Sequence, residues 1–300
     1  MYRGGKLAAA LLEKQRLTEE MAEADKSWWY KVGAAEISED QWLSHTFYQL
    51  SYDEETDAFI KNSELISDSI CLQLYYCVAT SVLQFFFTKT SINGLLGRGS
   101  MFLFSRSHLV NFLSFPTDWI AKDKVLLDLG AGDGSITEAL AQFYSQVYVT
   151  EASFSMQWRL QARNFSLLDK DTALKEKNVN FNLISCLNLL DRHTNPKLLL
   201  EELRLAALRC DCAVLLAVVL PWSQYVEFGT NGTVPEHFIG LKGRSFDSQV
   251  ASFVSEVLNP AGFDLVRWTK LPYLCEGDTH RPYYVLTDAV FLLNPVPYDS

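Results

Sequence analysis

A chain of 300 residues with 48% hydrophobic side chains is long enough for one large domain, or a domain and a half, with a substantial core. A net charge of −10 argues against a general nucleic-acid binder, which carries a basic face, and leaves room only for a local basic groove. The six cysteines sit mostly inside apolar runs without a CxxC pair, so they read as reduced core residues, and the five histidines form no HxH or HExxH that would suggest a metal site.

The N-terminal apolar patch, KLAAALLEKQRL, is short and interrupted by charge, so no secretory signal is read there and an intracellular protein is expected. Residues 1–45 form an arm, helix-prone over Ala8–Glu23, with Trp28, Trp29, Tyr30 and Trp42 as aromatic anchors expected to dock on the main body. A helical extension is expected over 46–121. In it, Phe47–Asp57 is acidic and expected in solvent, and Thr56–Phe87 reads as one or two helices. Ile70–Phe87 carries no charge and approaches the length of a membrane span. Gln73, Thr80, Ser81 and Gln84 recur through it and Asp68 and Lys89 bound it closely. A helix buried against the following domain is therefore expected, while a peripheral membrane contact stays open. Ser91–Ser105, SINGLLGRGSMFLFS, reads as a glycine-rich loop that either closes over a ligand or merely connects. Ser107–Ala121 is a short helix ended at or near Pro116.

From Lys124 the pattern alternates strand and helix, and residues 122–300 read as one α/β domain. The strands are Lys124–Leu129, Gln146–Thr150, Phe165–Leu168, Phe181–Leu187, Cys212–Leu220, Phe263–Thr269 and Tyr283–Leu293. The helices are Ser135–Phe143, Ser153–Arg163 with Ser153 as cap, Asn195–Leu208 with Pro196 in the first turn, and Phe246–Leu258. Residues 222–245 form a long loop, and LPYLCEGDTHRPYY is a polar connection between the last two strands. This order predicts a mostly parallel doubly wound sheet with an antiparallel edge hairpin, the Rossmann-like arrangement of class I methyltransferases.

The first strand runs into Gly130-Ala131-Gly132-Asp133-Gly134. This is not the dinucleotide GxGxxG, because Ser135 stands at the third glycine position, and it lacks the Lys-Ser/Thr of a phosphate loop. Asp128 and Asp133 make the turn unsuited to phosphate and suited to a cationic nucleoside such as S-adenosylmethionine. Asp128 with the Gly130–Gly132 backbone would hold the methionine amino end, and Glu151, ending the second strand, would accept the ribose hydroxyls. Asp169 or Asp171 is a weaker candidate for the adenine side. Asn188 and Asp191, ending the fourth strand, lie where such enzymes hold the methyl acceptor, although both residue types also cap helices. His193 reads as a surface histidine of the following loop.

Taken together, SINGLLGRGSMF, LLDLGAGDG, ISCLNLLDR, LPYLCEGD and YYVLTDAVFLL resemble the DREV, or methyltransferase-like protein 9, family from roughly Phe59 to Pro295. The resemblance implies an S-adenosylmethionine-dependent protein-histidine methyltransferase that forms Nπ-methylhistidine (1-methylhistidine) in HxH motifs with small x, releasing S-adenosylhomocysteine and using no metal. It also implies Asp128, Gly130 and Glu151 at the cofactor, and Asn188, Asp191, Tyr273 and Tyr284 around the acceptor histidine. The segments Asp169–Asn178 and after Pro221 depart from the family in detail, and the arm before about residue 45 has no match. The expected partners are HxH-containing proteins or peptides, not nucleic acid, and a monomer is expected. Two rival readings stay open: a small-molecule or RNA methyltransferase, and a non-catalytic binding module on the same fold.

Overall fold

The runs VLLDL, LISCL and AVLLAVV form strands buried almost throughout, as central parallel strands must be when helices cover both faces. The computed structural model describes residues 4–33, 41–116, 119–226 and 234–297. Parts of three expected segments lie outside the described residues: 1–3 and 34–40 of the arm, 117–118 of the Ser107–Ala121 helix and 227–233 of the 222–245 loop.

The described strands are β1 (Met101–Phe102), β2 (Val125–Leu129), β3 (Gln146–Thr150), β4 (Ser166–Leu167), β5 (Leu183–Leu187), β6 (Ala213–Val219), β7 (Phe263–Glu276) and β8 (Tyr283–Pro295). They form one eight-stranded sheet in the order β1-β7-β8-β6-β5-β2-β3-β4. Pairing is parallel from β4 to β6 and antiparallel at β6–β8, β8–β7 and β7–β1. The chain winds outward in both directions from β2 and β5, so the crevice for a ligand opens beyond their C-terminal ends. This is the class I methyltransferase arrangement with its antiparallel edge.

Alternate residues of a strand point to opposite faces. Leu126 and Leu215 join one buried cluster, and their neighbours Leu127 and Leu216 join the other. The sheet thus separates two cores.

The helices are α1 (Gly4–Glu23), α2 (Gln41–Thr46), α3 (Glu54–Asp68), α4 (Ile70–Leu83), α5 (Lys89–Leu96), α6 (Arg106–Leu113), α7 (Ser135–Ala141), α8 (Phe154–Ala162), α9 (Pro196–Cys210) and α10 (Phe246–Phe253). As expected, α9 has Pro196 in its first turn; Asn195 is not its first helical residue but its cap, accepting the Leu198 N–H at 3.1 Å. Ser153 precedes α8 but does not cap it: its hydroxyl is engaged with Ser91 at 3.1 Å and Ser155 at 3.2 Å. The Phe246–Leu258 helix ends as a π-helical turn over Val254–Leu258.

Several expectations are corrected. The Ile70–Phe87 helix is not buried: in α4 only Gln73 and Tyr76 are, while Val78 is 66% and the following Phe85 78% exposed. It meets α3 at a 75° bend, and among the described residues no single helix is long and apolar enough to cross a membrane. The glycine-rich stretch is not one loop but α5, a turn through Gly97 and Gly99, and the edge strand β1. The seventh strand runs on to Glu276, so most of the segment read as a polar connection is sheet. The acidic stretch after Phe47 is not simply solvated, since Leu50 and Thr56 are buried and Asp53 caps α3 through the Thr56 N–H. Of the four aromatic anchors, Trp29 and Tyr30 are buried but Trp28 and Trp42 are largely exposed. Cys71 and Cys77 are exposed rather than in the core.

A residue the sequence did not single out secures the arm. Trp268 of β7 is fully buried, its indole N–H donates to Leu43 O at 2.9 Å, and Phe47 bridges onto its backbone. On the other side, Ser63 of α3 donates to Pro282 O at 2.9 Å and accepts the Gly277 N–H at 2.8 Å. The extension therefore fixes the loop that joins β7 to β8.

Candidate active site

The turn after β2 has Gly130 and Gly132 at φ +68° and +57°, a left-handed backbone that favours glycine. A Cβ on Gly130 would also come within 2.8 Å of the Leu189 side chain. The strand end is locked to its neighbour: Gly130 N–H donates to Thr150 Oγ1 at 3.1 Å and Ala131 N–H to Thr150 O at 3.0 Å.

Asp128 lies fully buried beneath this turn. Its two oxygens accept the hydroxyls of Thr137 (2.5 Å) and Ser185 (2.6 Å), tying β2 to α7 and β5. Burial pushes its carboxyl up to about 6, and the two hydroxyls oppose that rise. Asp128 is therefore still mostly ionised at pH 7, and its charge favours a cation above the turn.

Glu151 stands half-buried at the end of β3. One oxygen accepts the Gly132 N–H at 3.0 Å and the other the Ser153 N–H at 2.8 Å. Both oxygens of the carboxylate are thus tied to the backbone of the turn and of the α8 entry, which fixes its orientation at the crevice. The segment after α5 covers this corner: Met101 lies 3.6 Å from where a Gly132 Cβ would stand, and Ser100 Oγ is 3.1 Å from Ser135 Oγ. α5 itself packs on α8 through Gly94, where a Cβ would lie 2.4 Å from Ser155 Oγ. Asp169 and Asp171 are exposed; Asp169 bonds within its own loop and Asp171 pairs with Lys170.

Beyond β5 the chain turns at Asn188, a non-glycine residue at φ +54°, whose N–H donates to Ala217 O at 2.9 Å. Its amide nitrogen donates to Asp288 Oδ2 at 2.7 Å. Asp191 follows in a 3-10 turn, buried, with Oδ2 3.1 Å from Arg192 Nε. Burial holds its carboxyl above the ordinary value, opposed by Arg192. Asn188 Oδ1, Asp191 Oδ1 and Asp288 Oδ1 are all buried with no hydrogen-bond partner. An unpaired buried acceptor costs about 1–3 kcal/mol, so Asn188 Oδ1 and Asp191 Oδ1, three residues apart on one turn, suit a donor-bearing ligand.

Tyr273 and Tyr284 stand two rungs apart on one face of the β7–β8 hairpin, opposite Leu286 and Cys275. The Tyr273 hydroxyl meets the Met101 sulfur, which joins this side to the glycine turn. Burial, then Cys275, Asp288 and Asp191, raise its pKa, so it stays a neutral phenol. The Tyr284 hydroxyl instead donates to Asp278 Oδ2 at 3.0 Å, in the hairpin loop. The fold thus brings Asn188, Asp191 and Tyr273 into one neighbourhood and leaves Tyr284 bonded further out. His193 Nδ1 accepts the Asn195 N–H at 3.1 Å within its own loop. Sequence reasoning missed Asp288, although a single acid inside an apolar strand is the same signal that drew attention to Asp128.

A parallel sheet with a glycine turn after its central strand, a carboxylate ending the next strand, and acceptor oxygens at the crevice defines a class I methyltransferase. The sequence matches the family model for DREV methyltransferase over residues 29–295, and the chain belongs to that family. Its fold is also similar to solved structures of low identity. A S-adenosylmethionine-dependent methyltransferase from Anabaena variabilis is 14% identical, with a TM-score of 0.42, 73% of this chain and 95% of that one being covered. A TehB-like S-adenosylmethionine-dependent methyltransferase from Corynebacterium glutamicum is 15% identical, with a TM-score of 0.39 and coverages of 63% and 86%. A putative RNA methyltransferase from Pyrococcus horikoshii is 16% identical, with a TM-score of 0.38 and coverages of 74% and 98%.

Proposed function

We propose that the chain methylates protein histidine at Nπ, in HxH motifs with small x, using S-adenosylmethionine. The observation that carries this reading is the pair of unpaired, buried acceptor oxygens, Asn188 Oδ1 and Asp191 Oδ1, beside the glycine turn. They suit an acceptor with N–H donors and a neutral ring.

The residues at the turn fit the cofactor. Glu151 places an oriented carboxylate at the end of β3 where ribose hydroxyls would donate to it, the Gly130–Gly132 backbone leaves room for close approach, and Asp128 beneath favours the cationic amino end. When bound, S-adenosylmethionine supplies an electrophilic methyl group on a sulfonium.

The nucleophile is a neutral imidazole, which predominates at pH 7 for an ordinary histidine pKa of about 6.5, so no strong base is required. Asp191 Oδ1 accepts the Nτ–H and so fixes the tautomer in which Nπ carries the lone pair. Nπ gives that pair to the new N–C bond as the methyl–sulfur bond breaks and the sulfur takes its electrons. The ring becomes an imidazolium, which the Asp191 carboxylate stabilises before the Nτ proton leaves to solvent. Asn188 and Tyr273 hold the ring plane and the adjoining peptide, and Tyr284 lines the approach from the hairpin. Positioning of this kind lowers a barrier by up to about 7–11 kcal/mol, which makes geometry the main contribution.

The test is incubation with labelled cofactor and an Ala-His-Ala-His peptide, beside versions with each His replaced by Ala. Label that requires the histidines supports the reading. Label on RNA or a small metabolite instead, or no transfer at all, removes it.

A further inference from the structure

Asp288 is the only charged residue of β8, and it is fully buried. Val219 of β6 and Leu271 of β7 flank it in register. The titratable groups that bear on it are Asp191 from the turn after β5, and Tyr273 and Cys275 from β7. Burial pushes its carboxyl up to about 8, and the like charge of Asp191 adds to this, so it is mostly a neutral acid at pH 7.

An asparagine amide has a donor end and an acceptor end, and only its partners decide which way it faces. Here the backbone N–H of Asn188 is held by Ala217 O at 2.9 Å, and its side-chain nitrogen by Asp288 Oδ2 at 2.7 Å. With the nitrogen taken, Oδ1 must face the other way, and it is there that Oδ1 lies buried and unpaired. Asp191 Oδ1, three residues along the same turn, is in the same condition.

We infer that Asp288 is a positioning residue: by capturing the Asn188 NH2 from across β6, it presents Asn188 Oδ1, together with Asp191 Oδ1, to two N–H donors of the methyl acceptor. One donor is the imidazole Nτ–H and the other a neighbouring peptide N–H. This rests on the histidine-methylation reading. Asp288 touches neither substrate nor cofactor; it acts through Asn188.

The test is a double-mutant cycle in the full chain, with Asp288→Ala, Asn188→Ala, the pair together, and Asp288→Asn, assayed by steady-state kinetics on the histidine peptide. Asp288→Ala is expected to lower kcat about tenfold or more, with KM for S-adenosylmethionine unchanged, and to add nothing in the Asn188→Ala background. Asp288→Asn keeps a carbonyl to accept the amide and is expected to return kcat to within about threefold of wild type. Additive losses in the double variant, or an Asn variant as poor as the Ala variant, overturn the proposal while leaving the function intact. A wild-type chain that does not methylate the peptide overturns the function and this proposal with it. Should Asp288→Ala fail to fold, the Asn188 side-chain amide protons are followed by NMR in the wild type and in Asp288→Asn. Slow solvent exchange in both supports the bond, and fast exchange in the wild type overturns it.

Discussion

Glu151 and Gly132 are joined by a hydrogen bond of 3.0 Å from the glycine N–H to the carboxylate Oε2. The end of β3 and the turn after β2 are therefore one unit, and the carboxylate proposed to hold the ribose also braces the turn. Glu151→Ala is expected to weaken cofactor binding by at least about tenfold, because a charge-assisted bond contributes about 1.5–3 kcal/mol. Isothermal calorimetry with S-adenosylhomocysteine checks it. Wild-type affinity in the variant would remove Glu151 from the cofactor site.

Gly94 gives a prediction whose sign is unusual. Alanine is the better helix former by about 1 kcal/mol, so Gly94→Ala in α5 should stabilise on propensity alone. The added Cβ, however, would lie 2.4 Å from Ser155 Oγ and 3.2 Å from the Met156 sulfur. A lower melting temperature is expected, with weaker cofactor binding as α5 is pushed off α8. A higher melting temperature would mean that the α5–α8 contact is looser than described.

Two buried acids give stability a pH dependence. Unfolded, Asp128 and Asp288 titrate near 3.8; folded, near about 6 and about 8. Between the unfolded and folded values the native state binds more protons than the unfolded state, so stability falls as pH rises. The contribution is complete below about pH 4 and is lost through about 6 for Asp128 and about 8 for Asp288. Thermal melts from pH 5 to 9 are expected to decline, and Asp288→Asn to flatten the upper part of the decline. Parallel curves for wild type and variant would show that Asp288 is ionised throughout.

The α4 helix offers a contrast with the core. Val78→Ser, at a site 66% exposed, is expected to change unfolding free energy by less than about 0.5 kcal/mol. Leu215→Ala, at a fully buried site, is expected to cost about 2–5 kcal/mol. Urea titrations compare them. A Val78 cost of core size would mean that this face is covered in solution.

The sheet was legible where its physics is local. β6 is a continuous apolar run and β2 and β5 are apolar but for Asp128 and Ser185, and the spacing from the glycine turn to Glu151 follows from one helix between two strands. The residues proposed for the acceptor side drew attention through Asn188 and Asp191 at a strand end, and through family resemblance for the tyrosines. What failed depended on contacts distant in sequence. β7 continues past Pro272 because β8 and β1 pair with it, which its own polar residues do not signal. Ile70–Leu83 has the composition of a core helix but apolar residues on every side, so composition could not say which side, if any, would be covered. Asp288 lies 100 residues from Asn188 in sequence, and only the crossing of β6 brings them together.

The most direct measurement is amino-acid analysis of the Ala-His-Ala-His peptide after methylation by the wild type and by Asp191→Ala. The account predicts Nπ-methylhistidine from the wild type. It also predicts loss of most turnover in the variant, with S-adenosylhomocysteine affinity unchanged, because Asp191 Oδ1 sets the tautomer. Nτ-methylhistidine from the wild type, or undiminished Nπ-methylation by Asp191→Ala, would contradict it.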